Sequence, residues 1–211
     1  MNWIPQIMNF ENPDQIDGAL QRLGTSLLYE YADPVAVVVC GGSALSALDM
    51  ARRTTRDVDI LAIAEKRGDS VNLRLDLDLP EIVRRTAARV GRDLGLEDDW
   101  LNMGPKEVLA AYGPPEGMTE RWQRREYGPC LTVYFIGRLD QVHLKLLAAA
   151  DPKAQPHHLE DLAERIRPTR KEIRSAVKWL LNRETSSWFR GRVRRIVEAL
   201  GYDNISYEIP E

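Results

Sequence analysis

Two cysteines and three histidines in 211 residues leave little material for a disulfide framework or a thiolate metal knuckle. Cys40 and Cys130 each border a strand-like run and read as buried thiols in a reducing compartment. No cysteine lies within ligand spacing of His143, His157 or His158, so these are expected to be surface or supporting side chains rather than zinc ligands. No stretch approaches the ~20 apolar residues of a membrane span. The opening Met1-Asn2-Trp3-Ile4-Pro5 lacks the basic-then-apolar plan of a secretory signal, so a cytoplasmic location without a membrane partner is expected. Low complexity and internal repeats are missing too, and 44% hydrophobic with 29% charged residues is the composition of an ordinary globular chain. Two familiar nucleotide motifs are also absent: the glycine turn at Gly41-Gly42 has neither the Gly-Lys-Ser/Thr ending of a P-loop nor a Gly-x-Gly-x-x-Gly run.

What is present reads as a mixed α/β head followed by helices. Ile16, Leu20, Leu23 and Leu27 recur at helical spacing after Asn12-Pro13, giving an opening helix whose apolar stripe is core. Val35-Ala36-Val37-Val38-Val39-Cys40 is a short, mostly β-branched run between Pro34 and Gly41, as expected of a strand buried on both faces. Gly41-Gly42 break it, and Ser43 is placed to cap a helix from Ala44 to about Ala51. A second strand is expected over Arg56–Ala62, a polar turn over Glu65–Ser70, and a half-exposed strand over Val71–Leu79, where apolar and polar residues alternate. Ile82–Leu94 carries a buried helical stripe with Gly95 near its C-cap. Glu97–Tyr127 shows no period and is expected to be irregular. Leu131–Ile136 is the last strand, and the remainder is helical, with a capping box at Thr169-Arg170-Lys171-Glu172. These elements divide the chain into an α/β core over 1–137 and a helical part over 138–211, expected to pack on the core and close one wall of a cleft.

The feature that points to chemistry is Gly41-Gly42-Ser43 followed, after thirteen residues, by Asp57-Val58-Asp59. Glycines after a strand let backbone N–H groups approach phosphate oxygens without a Cβ in the way. Ser43 adds a hydroxyl. The period of two along a strand puts Asp57 and Asp59 on one face, where two carboxylates suit hard, oxygen-seeking Mg²⁺ or Mn²⁺. Transfer of a nucleotide from a nucleoside triphosphate needs that clamp, that cation and an aligned hydroxyl. Asp76-Leu77-Asp78 repeats the acidic spacing but has no glycine turn upstream and reads as a solvated strand face. Arg53 and Arg56 flank the acidic pair closely enough to reach phosphate, or are plain surface arginines. Trp100 is either core or a base-stacking ring.

This arrangement resembles the nucleotidyltransferase fold superfamily, with its Gly-Gly/Gly-Ser strand end, short helix and Asp-x-Asp strand. Within it, Arg53-Thr54-Thr55-Arg56-Asp57-Val58-Asp59 looks like the Arg-x-Thr-x-Asp-x-Asp run of AbiEii-type toxins and related bacterial proteins. Asp140–Ala148, with Lys145, and His158-Leu159-Glu160-Asp161-Leu162 are similar to their Lys-Leu-x-Ala and Asp-Leu elements. The resemblance implies a mixed sheet flanked by helices and a metal-dependent transfer from an NTP to a hydroxyl acceptor. It also implies that Asp57 and Asp59 hold the metal, Ser43 touches the triphosphate, Lys145 neutralises phosphate charge and Asp161 completes the site. RNA, tRNA above all, is the implied acceptor, and an antitoxin protein the implied partner. Two departures stand out: Leu131–Ile136 lacks the third carboxylate of many members, and His157-His158 replace an Arg-Asp. A small-molecule or protein acceptor, or a non-catalytic nucleotide-binding module, are the rival expectations.

Charge adds one more pointer. Between Glu164 and Arg195 eleven bases face three acids, in a chain whose net charge is -3. Such an excess attracts a polyanion, or else forms the solvated faces of surface helices.

Overall fold

The computed structural model describes residues 8–52, 54–68 and 70–210, which fall into two compact units. The first comprises the described residues up to Gly113 together with Gly117–Ile136; the second comprises Pro114–Glu116 and Gly137–Glu211. The protein is mixed α/β, with the six strands found among the described residues all in the first unit.

In the first unit, α1 (Pro13–Tyr29) starts where Asn12 accepts a hydrogen bond from the Gln15 N–H. It buries Ile16, Leu20, Leu23 and Leu27. Strand β1 (Val35–Cys40) leads into α2 (Gly41–Ala47), then come β2 (Val58–Arg67), β3 (Ser70–Arg74) and α3 (Glu81–Leu94), which ends at the left-handed Gly95. The segment expected to be irregular holds a two-residue strand β4 (Leu101–Asn102), α4 (Lys106–Tyr112), a 3-10 turn (Met118–Arg121) and β5 (Gln123–Glu126), before β6 (Leu131–Phe135). The sheet order is β3-β2-β1-β6-β5, with β4 beside β2. Pairing is parallel for β1–β6 and β2–β4 and antiparallel elsewhere. Valines of β1 and β6 and the stripes of α1 and α3 share one core, at whose edge Trp100 is fully buried, its Nε1–H donated to the Ala87 carbonyl at 2.8 Å. Trp100 is therefore core and not a stacking ring.

Three boundaries differ from the sequence reading. Helix α2 begins at Gly41, so its N-cap is Cys40 and Ser43 lies inside its first turn. Strand β2 begins at Val58 and runs through the expected turn to Arg67. Strand β3 stops at Arg74, where the chain turns at Leu75-Asp76 and the Asp76 carboxylate folds back onto Arg74.

The second unit is helical: α5 (Arg138–Ala150), α6 (Pro156–Glu160) running into a π-helical segment (Asp161–Ile166), α7 (Arg170–Leu181), α8 (Ser187–Ala199) and α9 (Asp203–Ser206). The capping box forms as expected: Thr169 Oγ1 accepts from the Glu172 N–H at 3.3 Å, and Glu172 accepts from the Thr169 N–H at 2.6 Å. Helix α5 carries an unusual buried polar load, Asp140, Gln141, His143 and Lys145. Among the described residues no helix is long and apolar enough to cross a membrane.

Candidate active site

The site in the first unit is built by a fault in the sheet. Pairing of β1 with β2 runs Val37↔Ile63 and Val38↔Ala62, then slips to Val39↔Ile60 and Cys40↔Asp59, leaving Leu61 as an extra residue. Such a bulge reverses which residues face which side beyond it. Without it Cys40 would sit opposite Ile60. With it Asp59 lies beside the strand end, where the chain turns into Gly41.

Gly41 has φ +74°, a left-handed conformation that glycine adopts without strain. A Cβ placed there would lie 2.5 Å from Asp59 Oδ2, closer than any side chain tolerates. The Asp59 carboxylate thus rests against the bare backbone of the glycine turn. Both requirements, positive φ and close approach, select glycine at this position.

Asp57 stands one residue ahead of β2. The strand period holds: Val58 and Ile60 are fully buried while Asp57 and Asp59 are half-buried, so the two carboxylates share the opposite side. Two contacts fix the approach. Phe10 and Thr55 exchange backbone hydrogen bonds at 2.8 and 3.0 Å, and the Val58 N–H donates to the Trp100 carbonyl at 2.6 Å. The buried Thr55 hydroxyl then donates to Asp57 Oδ1 at 3.3 Å. Thr55 is the threonine of the Arg-x-Thr-x-Asp-x-Asp run, but the sequence alone assigns it no role.

Ser43 is wholly buried and donates its hydroxyl to the Cys40 carbonyl at 3.2 Å. In this structure the hydroxyl faces back along its own helix. Gly42 is buried in the same turn and Arg56 is exposed. Arg53 lies outside the described residues. The decoy acids are tied up elsewhere: Asp76 pairs with Arg74 at 2.6 Å, which holds its carboxyl at about 2, and Asp78 pairs with Lys106 at 2.6 Å.

A further network anchors the far end of α2. Arg125 of β5 donates to both oxygens of Asp17 at 3.0 and 2.9 Å and to the Ala47 carbonyl at 2.6 Å. Tyr127 donates its hydroxyl to Asp17 as well; burial pushes that hydroxyl's pKa up, and the Asp17 carboxylate pushes it further. Nothing in the sequence points to this triad, since Asp17 lies 108 residues from Arg125 and 110 from Tyr127.

In the second unit, Lys145 Nζ sits 2.8 Å from Asp161 Oδ2, and Arg165 Nη1 sits 2.9 Å from Asp161 Oδ1. The two residues singled out there therefore meet each other directly. Asp161 is wholly buried and Lys145 nearly so.

The Asp57 and Asp59 carboxylates are oxygen donors of the kind Mg²⁺ takes, since that ion is usually held by one or two carboxylates plus substrate phosphates, while Asn102, the Cα neighbour of Asp59, spends its Oδ1 on the Gly104 N–H at 2.8 Å. Among the described residues no group of three His, Cys, Asp or Glu side chains could hold a metal unaided. The His157 and His158 rings lie with centroids 4.1 Å apart and planes tilted by 57°. The chain matches no protein-family model, no curated protein and no solved structure.

Proposed function

We propose that the protein is a metal-dependent nucleotidyltransferase that moves a nucleoside monophosphate from an NTP to a hydroxyl acceptor, with RNA, tRNA above all, as that acceptor. The observation that carries the reading is the contact between the Gly41 turn and the Asp59 carboxylate. It supports the reading because a bare backbone turn that could receive phosphate beside a carboxylate that could hold a cation is the combination such a transfer needs. Asp57 and Asp59 hold the divalent cation. When bound, it neutralises triphosphate charge and orients the α-phosphorus. Gly41 and Gly42 offer backbone to the phosphates, Ser43 its hydroxyl after turning from Cys40, and Arg53 and Arg56 added positive charge. Lys145 and Asp161 take their places from the resemblance, Lys145 countering phosphate charge and Asp161 setting its orientation. A role as the toxin of a toxin–antitoxin pair, with an antitoxin protein as partner, follows from the same resemblance.

The test is direct. Incubation with Mg²⁺, each labelled triphosphate and total RNA gives label on RNA, and Asp57→Ala abolishes it. Label on no RNA removes this acceptor; transfer to a small molecule or protein would then be sought in the same mixture. A second reading, a nucleotide-binding module without turnover, is favoured by the two-carboxylate donor set. It predicts triphosphate binding without pyrophosphate release, and release of pyrophosphate eliminates it.

A further inference from the structure

Helix α8 of the second unit presents a side that nothing above uses. Trp188, Arg192, Arg195 and Ala199 are spaced i, i+4, i+7 and i+11, which lines them up along about 16 Å of helix. Trp188 is 53% exposed, an uncommon position for so large an apolar ring. The Arg192 guanidinium lies 5.3 Å above that ring. It is also fixed in orientation: its Nε donates to the Ala150 carbonyl at 2.8 Å and its Nη2 to the Asp151 carbonyl at 2.6 Å, at the open C-terminal end of α5. Next to it a cavity of about 320 Å³ opens between α6 and α8, lined by Leu159, Arg192, Arg195, Ile196 and Ala199.

The charge of this hollow is one-sided. No acid lines it. Arg195 is exposed and has neither a hydrogen bond nor an ion pair among the described residues, unlike Arg194, which donates to the Ile209 carbonyl at 2.6 Å, and Arg174, which pairs with Glu208 at 2.7 Å. A held arginine, an unengaged arginine and an open tryptophan along one stripe match the repeating chemistry of a single strand of nucleic acid, a phosphate followed by a flat base. A protein segment would be expected to cover Trp188 with an apolar rim, and the stripe supplies arginines instead.

We propose that the α6–α8 cavity and Trp188 form a binding site for single-stranded RNA: Arg195 and the free edge of Arg192 take a phosphodiester, and Trp188 stacks a base. This rests on the proposed RNA acceptor and deepens it by assigning residues to the acceptor strand.

The experiment measures anisotropy of a labelled single-stranded RNA dodecamer with the full-length chain, across salt from about 50 to about 200 mM. Arg195→Ala weakens binding at least about fivefold and flattens the slope of log affinity against log salt by about 0.7, the loss of one single-strand phosphate contact. Trp188→Ala weakens it about fivefold or more with the slope unchanged, and Trp188→Phe restores most of it, because stacking needs a ring and not a charge. Arg174→Ala binds like wild type. Wild-type affinity in both Arg195→Ala and Trp188→Ala overturns the site. Absence of RNA binding by the wild-type chain overturns it as well and turns attention to an acidic protein segment. Displacement of RNA by inorganic phosphate at matched ionic strength, without dependence on Trp188, assigns the hollow to free phosphate and likewise overturns the RNA site. The two readings fail separately: RNA binding that depends on Arg195 without any nucleotide transfer sinks only the transferase, and undiminished transfer to RNA by the Arg195→Ala, Trp188→Ala double variant sinks only this site.

Discussion

At Gly41 a single hydrogen atom decides whether the acid can reach the turn. Gly41→Ala places a methyl 2.5 Å from Asp59 Oδ2 at a φ of +74°, so it both strains the backbone and displaces the carboxylate. A loss of about 1–3 kcal/mol in unfolding free energy is expected, measured by urea titration, with nucleotide affinity falling further than Asp57→Asn alone would lower it. Ser43 separates two roles. Its hydroxyl donates to Cys40, so Ser43→Ala costs about 1 kcal/mol of stability from that bond alone. A larger effect on KM for the triphosphate than on the melting temperature marks the hydroxyl as a substrate contact; an unchanged KM leaves it a structural bond. Asp57 and Asp59 were legible at this scale because alternation along a strand is a property of the backbone. The orientation of Ser43 and the burial of Trp100 were not, since both depend on what the chain brings near them.

Among the elements, the expected strands and helices held where periodicity was strong and failed where a neighbour decided the outcome. Alternation from Val71 to Leu79 continues past Arg74, but the chain turns at Leu75-Asp76, so the strand ends at Arg74. Strand β5, Gln-Arg-Arg-Glu, has no apolar face to announce it and exists because β6 offers an edge. The bulge that aligns Asp59 with Cys40 is equally silent in the sequence: every residue around it is apolar, so no break in pattern marks the slip. The capping box was readable because it is local. Burial raises the Glu172 carboxyl, but the Thr169 N–H and the Arg138 guanidinium at 2.9 Å outweigh it and hold its pKa below the ordinary carboxylate value. A carboxylate depressed on folding contributes stability that is complete above its unfolded value and is lost as pH falls through its lower folded value. Melting curves of wild type should therefore fall more steeply than those of Glu172→Gln as pH drops from about 5 toward 3, and parallel curves would contradict this.

Over the whole molecule, the charge asymmetry seen in the sequence resolves into individual contacts. Several arginines of the second unit serve structure, whereas exposed Arg195 makes no hydrogen bond or ion pair among the described residues. The same scale tests Lys145 and Asp161. Their buried pair predicts that Asp161→Asn lowers stability by about 3 kcal/mol, since a buried cation is left with its partner weakened. Lys145→Met should lower it less, because Arg165 still pairs with Asp161. If instead Lys145→Met melts like wild type, the lysine is not held for stability. Whether Asp57 and Asp59 share a cation beside Gly41 is measured directly by the anomalous scattering of Mn²⁺ in crystals soaked with a triphosphate. The expected map has a Mn²⁺ peak about 2.2 Å from carboxylate oxygens of both residues, with phosphate density along Gly41-Gly42-Ser43. A peak elsewhere, or triphosphate bound away from the glycine turn, would contradict it.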